Sequence, residues 1–291
     1  MIHLRKPQES GLKETGLSEL SFLDLPEITA VVFHPRRTGP TQKVPGRMYR
    51  LSFLVDGGVN IDGAIHLAER GAQDAPNVLF FHGNGETVAD YDEIGPLYGE
   101  RGLNFAVVDY RGYGTSGGSP SFSAMTADAV RIFSQYQDRL EELDLSGPIF
   151  VMGRSLGSSP ALDLAVRFQE MISGLILESG FAHTFGLLER LGVNPRYLDG
   201  SREKEWLVSN LEKMKKVMHP VLIIHGEKDE IIPISDGLAL FGAAGHRVRE
   251  ILVIPRAGHN TLLILGFEEY MEAIVRFIER VRRFSPPPPR S

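Results

Sequence analysis

Ile149-Phe150-Val151-Met152-Gly153-Arg154-Ser155-Leu156-Gly157 is the stretch on which the fold turns. Its first four residues are bulky and apolar, a run short and β-prone enough to read as a buried strand. Its last five fit G-x-S-x-G, and from Leu156 to Phe168 the apolar spacing becomes helical. Strand, tight turn and helix in that order form the unit from which a mostly parallel sheet is wound. In that setting Ser155 sits on a strained turn with its hydroxyl above the sheet, and the flanking glycines let strand and helix pass closely.

Outward from this unit the same alternation recurs. Val78–Phe81, Phe105–Asp109, Gly174–Leu177, Val221–Ile224 and Glu250–Ile254 are short apolar runs bounded by Gly, Pro, Asn or Asp, and read as further strands. Between them Met125, Ala129, Ile132, Phe133, Tyr136, Leu140 and Leu143 form one apolar helical stripe, as do Phe267, Tyr270, Met271, Ile274, Ile278 and Val281. Upstream, Ile28–Phe33, Tyr49–Val55 and Ala64–Ala68, around the turn signal Asp56-Gly57-Gly58, read as antiparallel strands on one edge of the sheet. Residues 181–219 are too long for a simple crossover and contain Gly192, Pro195 and Gly200, the mark of a small cap inserted over one end of the sheet. The expected organisation is an N-terminal extension (1–27), a single α/β domain (28–284) with a mostly parallel sheet flanked by helices, and a Pro-rich tail (285–291).

Composition narrows the function. The 291 residues are 42% hydrophobic and 23% charged, the balance of a folded globular chain. At this length folding buries roughly 75% of the surface that the unfolded chain exposes, so the core needs no metal or disulfide. Lys plus Arg number 31 against 37 Asp plus Glu, a net charge of −6, with no basic stripe for nucleic acid. Cysteine is absent, which removes disulfide scaffolds, Cys-ligated zinc, iron–sulfur clusters and a thiol nucleophile. No run approaches the ~18 apolar residues of a membrane span, and no signal-peptide pattern follows Met1. The expectation is a cytoplasmic protein acting on a small molecule, with no nucleic acid, metal or membrane span. No heptad pattern or exposed sticky strand announces an oligomer.

A serine hydroxyl is a weak nucleophile and needs a base and an orienting acid. His259, in Pro255-Arg256-Ala257-Gly258-His259-Asn260, follows the last expected strand, and Asp229 follows Val221–Ile224. Ser155, Asp229 and His259 thus each stand at the carboxyl end of a separate strand, the edge where sites assemble in open α/β sheets. Glu178, after Gly174–Leu177, is the reserve for the acid, while Glu230 points to solvent. The backbone N–H of Leu156 is one expected oxyanion donor. The other is the N–H of Asn84, in Phe81-His82-Gly83-Asn84-Gly85-Glu86, with His82 bracing that loop. Gly112-Tyr113-Gly114-Thr115-Ser116-Gly117 fits a dinucleotide fingerprint, but the acid at the right distance, Asp138, falls inside the helical stripe, and no G-K-[ST] phosphate loop occurs. A nucleotide is therefore not expected.

His82-Gly-Asn-Gly85, Asp109-Tyr-Arg-Gly-Tyr-Gly-Thr-Ser-Gly117, Gly153-Arg-Ser-Leu-Gly157, Leu177-Glu-Ser-Gly-Phe181, His225-Gly-Glu-Lys-Asp-Glu-Ile-Ile-Pro233 and Ala257-Gly-His-Asn260 follow one another along the chain. In these blocks the sequence resembles the α/β-hydrolase superfamily, and within it the Bem46-type serine hydrolases, from about Ile28 to Val281. The resemblance implies the α/β-hydrolase fold, no cofactor, Ser155, Asp229 and His259 as nucleophile, acid and base, Asn84 and Leu156 as oxyanion donors, and the cap at 181–219. Eukaryotic relatives often carry an N-terminal membrane anchor or lipid-modified cysteines, and this sequence shows neither. Glu86, after Gly85, puts an acid near the mouth of the site.

The expected activity is hydrolysis of short-to-medium acyl esters or thioesters through an acyl-enzyme. Two alternatives stand beside it: a peptidase or amidase of the same fold, and a non-catalytic binding protein that keeps the fold. The cap residues Phe185, Leu187 and Trp206 are the expected apolar wall of the acyl site.

Overall fold

The structure, a computed structural model, describes residues 20–39 and 47–284. Most of the expected N-terminal extension and the Pro-rich tail lie outside the described residues. The strands are β1 (Met48–Val55), β2 (Val59–His66), β3 (Asn77–Phe81), β4 (Asn104–Val108), β5 (Ile149–Arg154), β6 (Gly174–Glu178), β7 (Val221–Gly226) and β8 (Arg249–Ile254). They form one sheet in the order β1-β2-β4-β3-β5-β6-β7-β8. β1, β2 and β4 pair antiparallel, and from β4 to β8 every pairing is parallel. This is the eight-stranded sheet of the α/β-hydrolase fold.

The helices are α1 (Pro26–Val32), α2 (Gly95–Glu100), α3 (Phe122–Glu142), α4 (Ser158–Arg167), four short pieces α5 (Thr184–Arg190), α6 (Arg196–Asp199), α7 (Glu205–Val208) and α8 (Asn210–Met214), then α9 (Ile234–Ala243) and α10 (Leu262–Phe284). Strand alternation distributes the core over both faces of the sheet. Leu79 and Phe81 of β3 join Val151, Leu175, Leu177 and the inner sides of α3 and α4. Val78 and Phe80 join Phe150, Met152, Ile176 and the apolar stripe of α10. The stripe read from the sequence is the buried face of α3, whose first turn is capped by the Ser121 hydroxyl accepting from the Ala124 N–H.

Two expectations at the N-terminal end need correction. Ile28–Phe33 is helical as α1, not a strand. Pro26 starts the helix, and Ile28 and Val32, one turn apart, are the residues it buries. The run of β-branched residues favours a strand locally, but the packing of that i, i+4 pair prevails. The second antiparallel strand runs Val59–His66 rather than Ala64–Ala68, because the turn at Asp56–Gly58 pairs Val55 directly with Val59. Asn60, Asp62 and Gly63, poor strand formers, concealed its first half.

Candidate active site

The turn after β5 is tight. Ser155 has φ +51°, a left-handed conformation that costs a non-glycine residue about 1–3 kcal/mol and aims its side chain away from the strand. A Cβ at Gly153 would lie 2.6 Å from the carbonyl carbon of Gly157 and 2.8 Å from Cβ of Ala161. One at Gly157 would lie 2.6 Å from the Phe81 carbonyl carbon and 2.8 Å from the His82 oxygen. Both positions therefore need glycine. The second contact also shows that the serine turn abuts the end of β3, where the His82–Glu86 loop departs.

Ser155, Asp229 and His259, on three different loops, meet here. His259 Nε2 lies 3.0 Å from Ser155 Oγ, and His259 Nδ1 lies 2.8 and 3.0 Å from the two Asp229 oxygens. An ionised carboxylate only accepts, so Nδ1 carries the proton and Nε2 is free to accept from the serine hydroxyl. All three residues are buried. Burial alone would raise the Asp229 carboxyl, but the hydrogen bond and charge of His259 and the Ile232 N–H, 2.8 Å from Oδ1, outweigh it and hold the group below its ordinary value. The acid therefore stays ionised and holds the imidazole in the tautomer a base requires. His225, behind Asp229, donates Nε2–H to the Ile232 carbonyl at 2.8 Å, and burial lowers its pKa.

Asn84 uses its side chain away from the serine. Oδ1 accepts from the His34 N–H at 3.0 Å and the Tyr113 hydroxyl at 2.7 Å. Nδ2 donates to the Val32 carbonyl at 2.5 Å and meets His34 Nδ1 at 2.8 Å. All four hydrogen-bonding positions of the amide are filled. Arg36 adds a bond from Nε to the Gly85 carbonyl at 3.2 Å. The segment after α1 thus grips the loop that carries the second expected oxyanion donor. His82 is buried, with Nε2 3.2 Å from Asp109 Oδ1 and Nδ1 2.8 Å from the Gly83 carbonyl, a brace within this loop.

The sequence reading missed Arg154, the variable residue before the serine. It is buried, and its guanidinium contacts acceptors on three separate segments. Nε donates to Glu178 at 3.0 Å, Nη1 to Glu86, and Nη2 to the His259 carbonyl at 2.9 Å and Asn260 Oδ1 at 2.8 Å. Burial alone would lower the guanidinium pKa, but Glu178 and Glu86 raise it. Glu86 also accepts the Gly83 N–H and the Tyr91 hydroxyl, both at 2.7 Å, and Glu178 accepts the Tyr270 hydroxyl at 2.7 Å. The contacts of two further acids are fixed here. Glu86, the acid expected near the mouth, is partly exposed and is paired with Arg154. Glu178 is occupied by Arg154 and Tyr270, while the carboxylate on His259 is that of Asp229. Glu230 is exposed as expected, yet it also accepts the His259 N–H at 3.2 Å. The available signal was an Arg inside the motif with acids at two other strand ends, and position alone gave it no role.

The three cap residues part company. Leu187 is buried with Phe181 and Ile232, the latter three residues past Asp229. Phe185 packs edge to face on Phe22 in the main core, and Trp206 stands 59% exposed. The glycine-rich loop Gly112–Gly117 closes on itself, Gly112 N–H to Gly117 carbonyl at 2.8 Å, and α3 begins only at Phe122. That is not the strand-to-helix turn of a dinucleotide site. Among the described residues no cluster suited to a metal ion occurs, and no helix is long and apolar enough to cross a membrane.

The comparisons with known proteins agree with this architecture. A family model described as Serine aminopeptidase, S33 matches residues 72–184. Protein bem46 of Schizosaccharomyces pombe is 28% identical over 250 residues, covering 84% of this chain and 81% of that protein. Alpha/beta hydrolase domain-containing protein 17B of Homo sapiens is 31% identical over 209 residues, covering 70% of this chain and 66% of that protein, so the chain spans just under two thirds of it. Among solved structures, an esterase of Pyrococcus furiosus superposes with a TM-score of 0.67 at 16% identity, over 85% of this chain and 98% of that one.

Proposed function

We propose that this chain, a Bem46-like protein of the α/β-hydrolase fold, is a serine hydrolase that cleaves carboxylic esters or thioesters of short-to-medium acyl chains. The observation that carries the reading is the unbroken line Ser155 Oγ, His259 Nε2, His259 Nδ1, Asp229 at hydrogen-bond distances on a strained turn. Ser155 Oγ attacks the acyl carbon while His259 Nε2 takes its proton. The negative charge that develops on the carbonyl oxygen meets the N–H groups of Leu156 and Asn84, with the N-terminal end of α4 directed the same way. His259 then returns the proton to the departing alkoxide or thiolate. Water, deprotonated by the same imidazole, releases the acid and restores Ser155.

A peptidase or amidase reading has one specific observation in its favour, the serine aminopeptidase family description over residues 72–184. It needs the same residues but a leaving amine. Purified protein and Ser155→Ala, assayed on acetyl, butyryl and octanoyl esters, matching thioesters and aminoacyl anilides, separate the readings. Wild type is expected to turn over the shorter esters and to be labelled at Ser155 by a fluorophosphonate. Ser155→Ala is expected to lose on the order of 10⁴–10⁶ in rate. Turnover confined to the anilides favours the amidase. Unimpaired ester turnover by Ser155→Ala removes the mechanism, and a wild type that is neither active nor labelled makes the chain a binding protein.

A further inference from the structure

Arg154 is a buried cation that the chemistry above does not use, and its partners are the parts that the chemistry requires. From the strand that delivers Ser155 it reaches the base loop at two points, the His259 carbonyl and Asn260 Oδ1. It reaches the oxyanion loop through Glu86, whose other oxygen holds the Gly83 N–H one residue before Asn84. It reaches the end of β6 through Glu178, itself pinned by Tyr270 of α10.

Stability is a poor account of this cluster. Ionic groups taken out of water lose solvation that their attraction only partly returns, and well-packed apolar replacements are often as stable or more so. What a guanidinium offers that an apolar side chain cannot is direction: a rigid plane of donors pointing to fixed acceptors. Here the acceptors belong to loops that are far apart in sequence, at residues 86, 178, 259 and 260. A lysine, a point charge on a flexible stem, does not span them together.

We propose that Arg154 is the positioning residue of the site, a single guanidinium that sets the His259 ring against Ser155 and the Asn84 N–H against the oxyanion at the same time. It touches no reacting atom and acts through His259 and Glu86. The proposal rests on Ser155, His259 and Asp229 being the catalytic groups, and its test includes a readout that survives failure of that reading.

Two variants of the full chain serve: Arg154→Lys, which keeps a charge, and the neutral triple Arg154→Met, Glu86→Gln, Glu178→Gln, which leaves no buried carboxylate without its cation. Each is compared with wild type for melting temperature, for kcat and KM on a butyryl ester, and for the low-field NMR resonance of the His259 Nδ1–H. A misplacement near 1 Å in a catalytic constellation lowers rate by about 10²-fold. The expected result is a folded triple variant with kcat down by about that factor, KM within about threefold, and a shifted or broadened His259 resonance. If the triple variant is unfolded, Arg154→Lys is read in the same way. A folded variant with wild-type kcat and an unchanged resonance overturns the proposal. Should wild type prove inactive on every ester and unlabelled at Ser155, the ester-hydrolase reading falls by itself. The resonance then decides on Arg154 alone: loss in the variant supports its role and preservation refutes it.

Discussion

Gly157→Ala is the sharpest single test of how the serine turn and the oxyanion loop depend on each other. Gly157 has φ −64°, so alanine meets no backbone penalty there and the effect is purely steric. The new methyl carbon would stand 2.6 Å from the Phe81 carbonyl carbon and 2.8 Å from the His82 oxygen, where ordinary contact begins at 3.4 Å. Both opposing atoms are backbone, so no rotamer change relieves the clash. The turn and the end of β3 must separate by roughly 1 Å. Overpacking of this kind costs about 1–3 kcal/mol in stability, which a sheet of eight strands tolerates. On the proposed mechanism, in which the Asn84 and Leu156 N–H groups hold the oxyanion, the same displacement costs one donor and lowers kcat by about 10²–10³. Substrate binding away from the reacting carbon is untouched, so KM changes little. Steady-state kinetics on a butyryl ester, with circular dichroism to confirm folding, reads all three quantities. A folded Gly157→Ala protein with kcat within about threefold of wild type would falsify the claim that this glycine sets the spacing.

Other expectations follow from equally local features. His66 is buried with Nε2 unpartnered among the described residues, and burial lowers its pKa from 6.5 to about 4. The unfolded chain therefore binds a proton that the folded one refuses between those values. Stability is full above pH 6.5 and falls as the pH drops toward 4, by about 3 kcal/mol from this residue. Urea unfolding of wild type and His66→Leu at pH 7 and 4.5 should show a shallower loss for the variant, and parallel losses would discard the argument. Asn84→Ala removes four side-chain hydrogen bonds but leaves the backbone N–H, so kcat should fall about 10-fold or more with KM nearly constant. A twofold effect or less on single-turnover acylation would show that the loop holds itself. Leu187→Ala, which opens space beside the acid loop, should shift the preferred acyl length upward on a panel of esters, whereas Trp206→Ala, half in solvent, should not. The opposite pattern would place the acyl wall on α7 instead.

The parallel half of the sheet was readable because its strands are short, doubly buried and apolar without interruption, as in Val78–Phe81 and Ile149–Met152. The antiparallel edge was harder. One face of β2 carries Asn60 and Asp62, whose polarity hides the strand, and α1 is written in residues that favour a strand until Pro26 is given its weight. At the site, the identity of the three loop residues could be read because each follows a strand at the same edge of the sheet. Arg154 could not, since its meaning lies in acceptors at Glu86, Glu178 and Asn260, and nothing local in the motif predicts partners between 24 and 106 positions away. Asn84 was read for its backbone alone. That its amide is spent on Val32, His34 and Tyr113 follows from the docking of α1, an element assigned to the wrong class.

The grip of residues 32–36 on Asn84 and Gly85 also bears on where the gene can be cut. A version shortened to start just before β1 would keep the entire sheet, α2 to α10 and the Ser155, Asp229 and His259 side chains, but not α1. It would lose Leu23, Ile28, Val32 and Phe33 from the core and would melt lower. Its Asn84 loop would keep the fastenings from Glu86, His82 and Tyr113. Such a shortened chain would be both less stable and slacker around Asn84, two losses with one cause. Residues 20–36 are thus core filler and loop clamp at once, and a cut on their far side removes both.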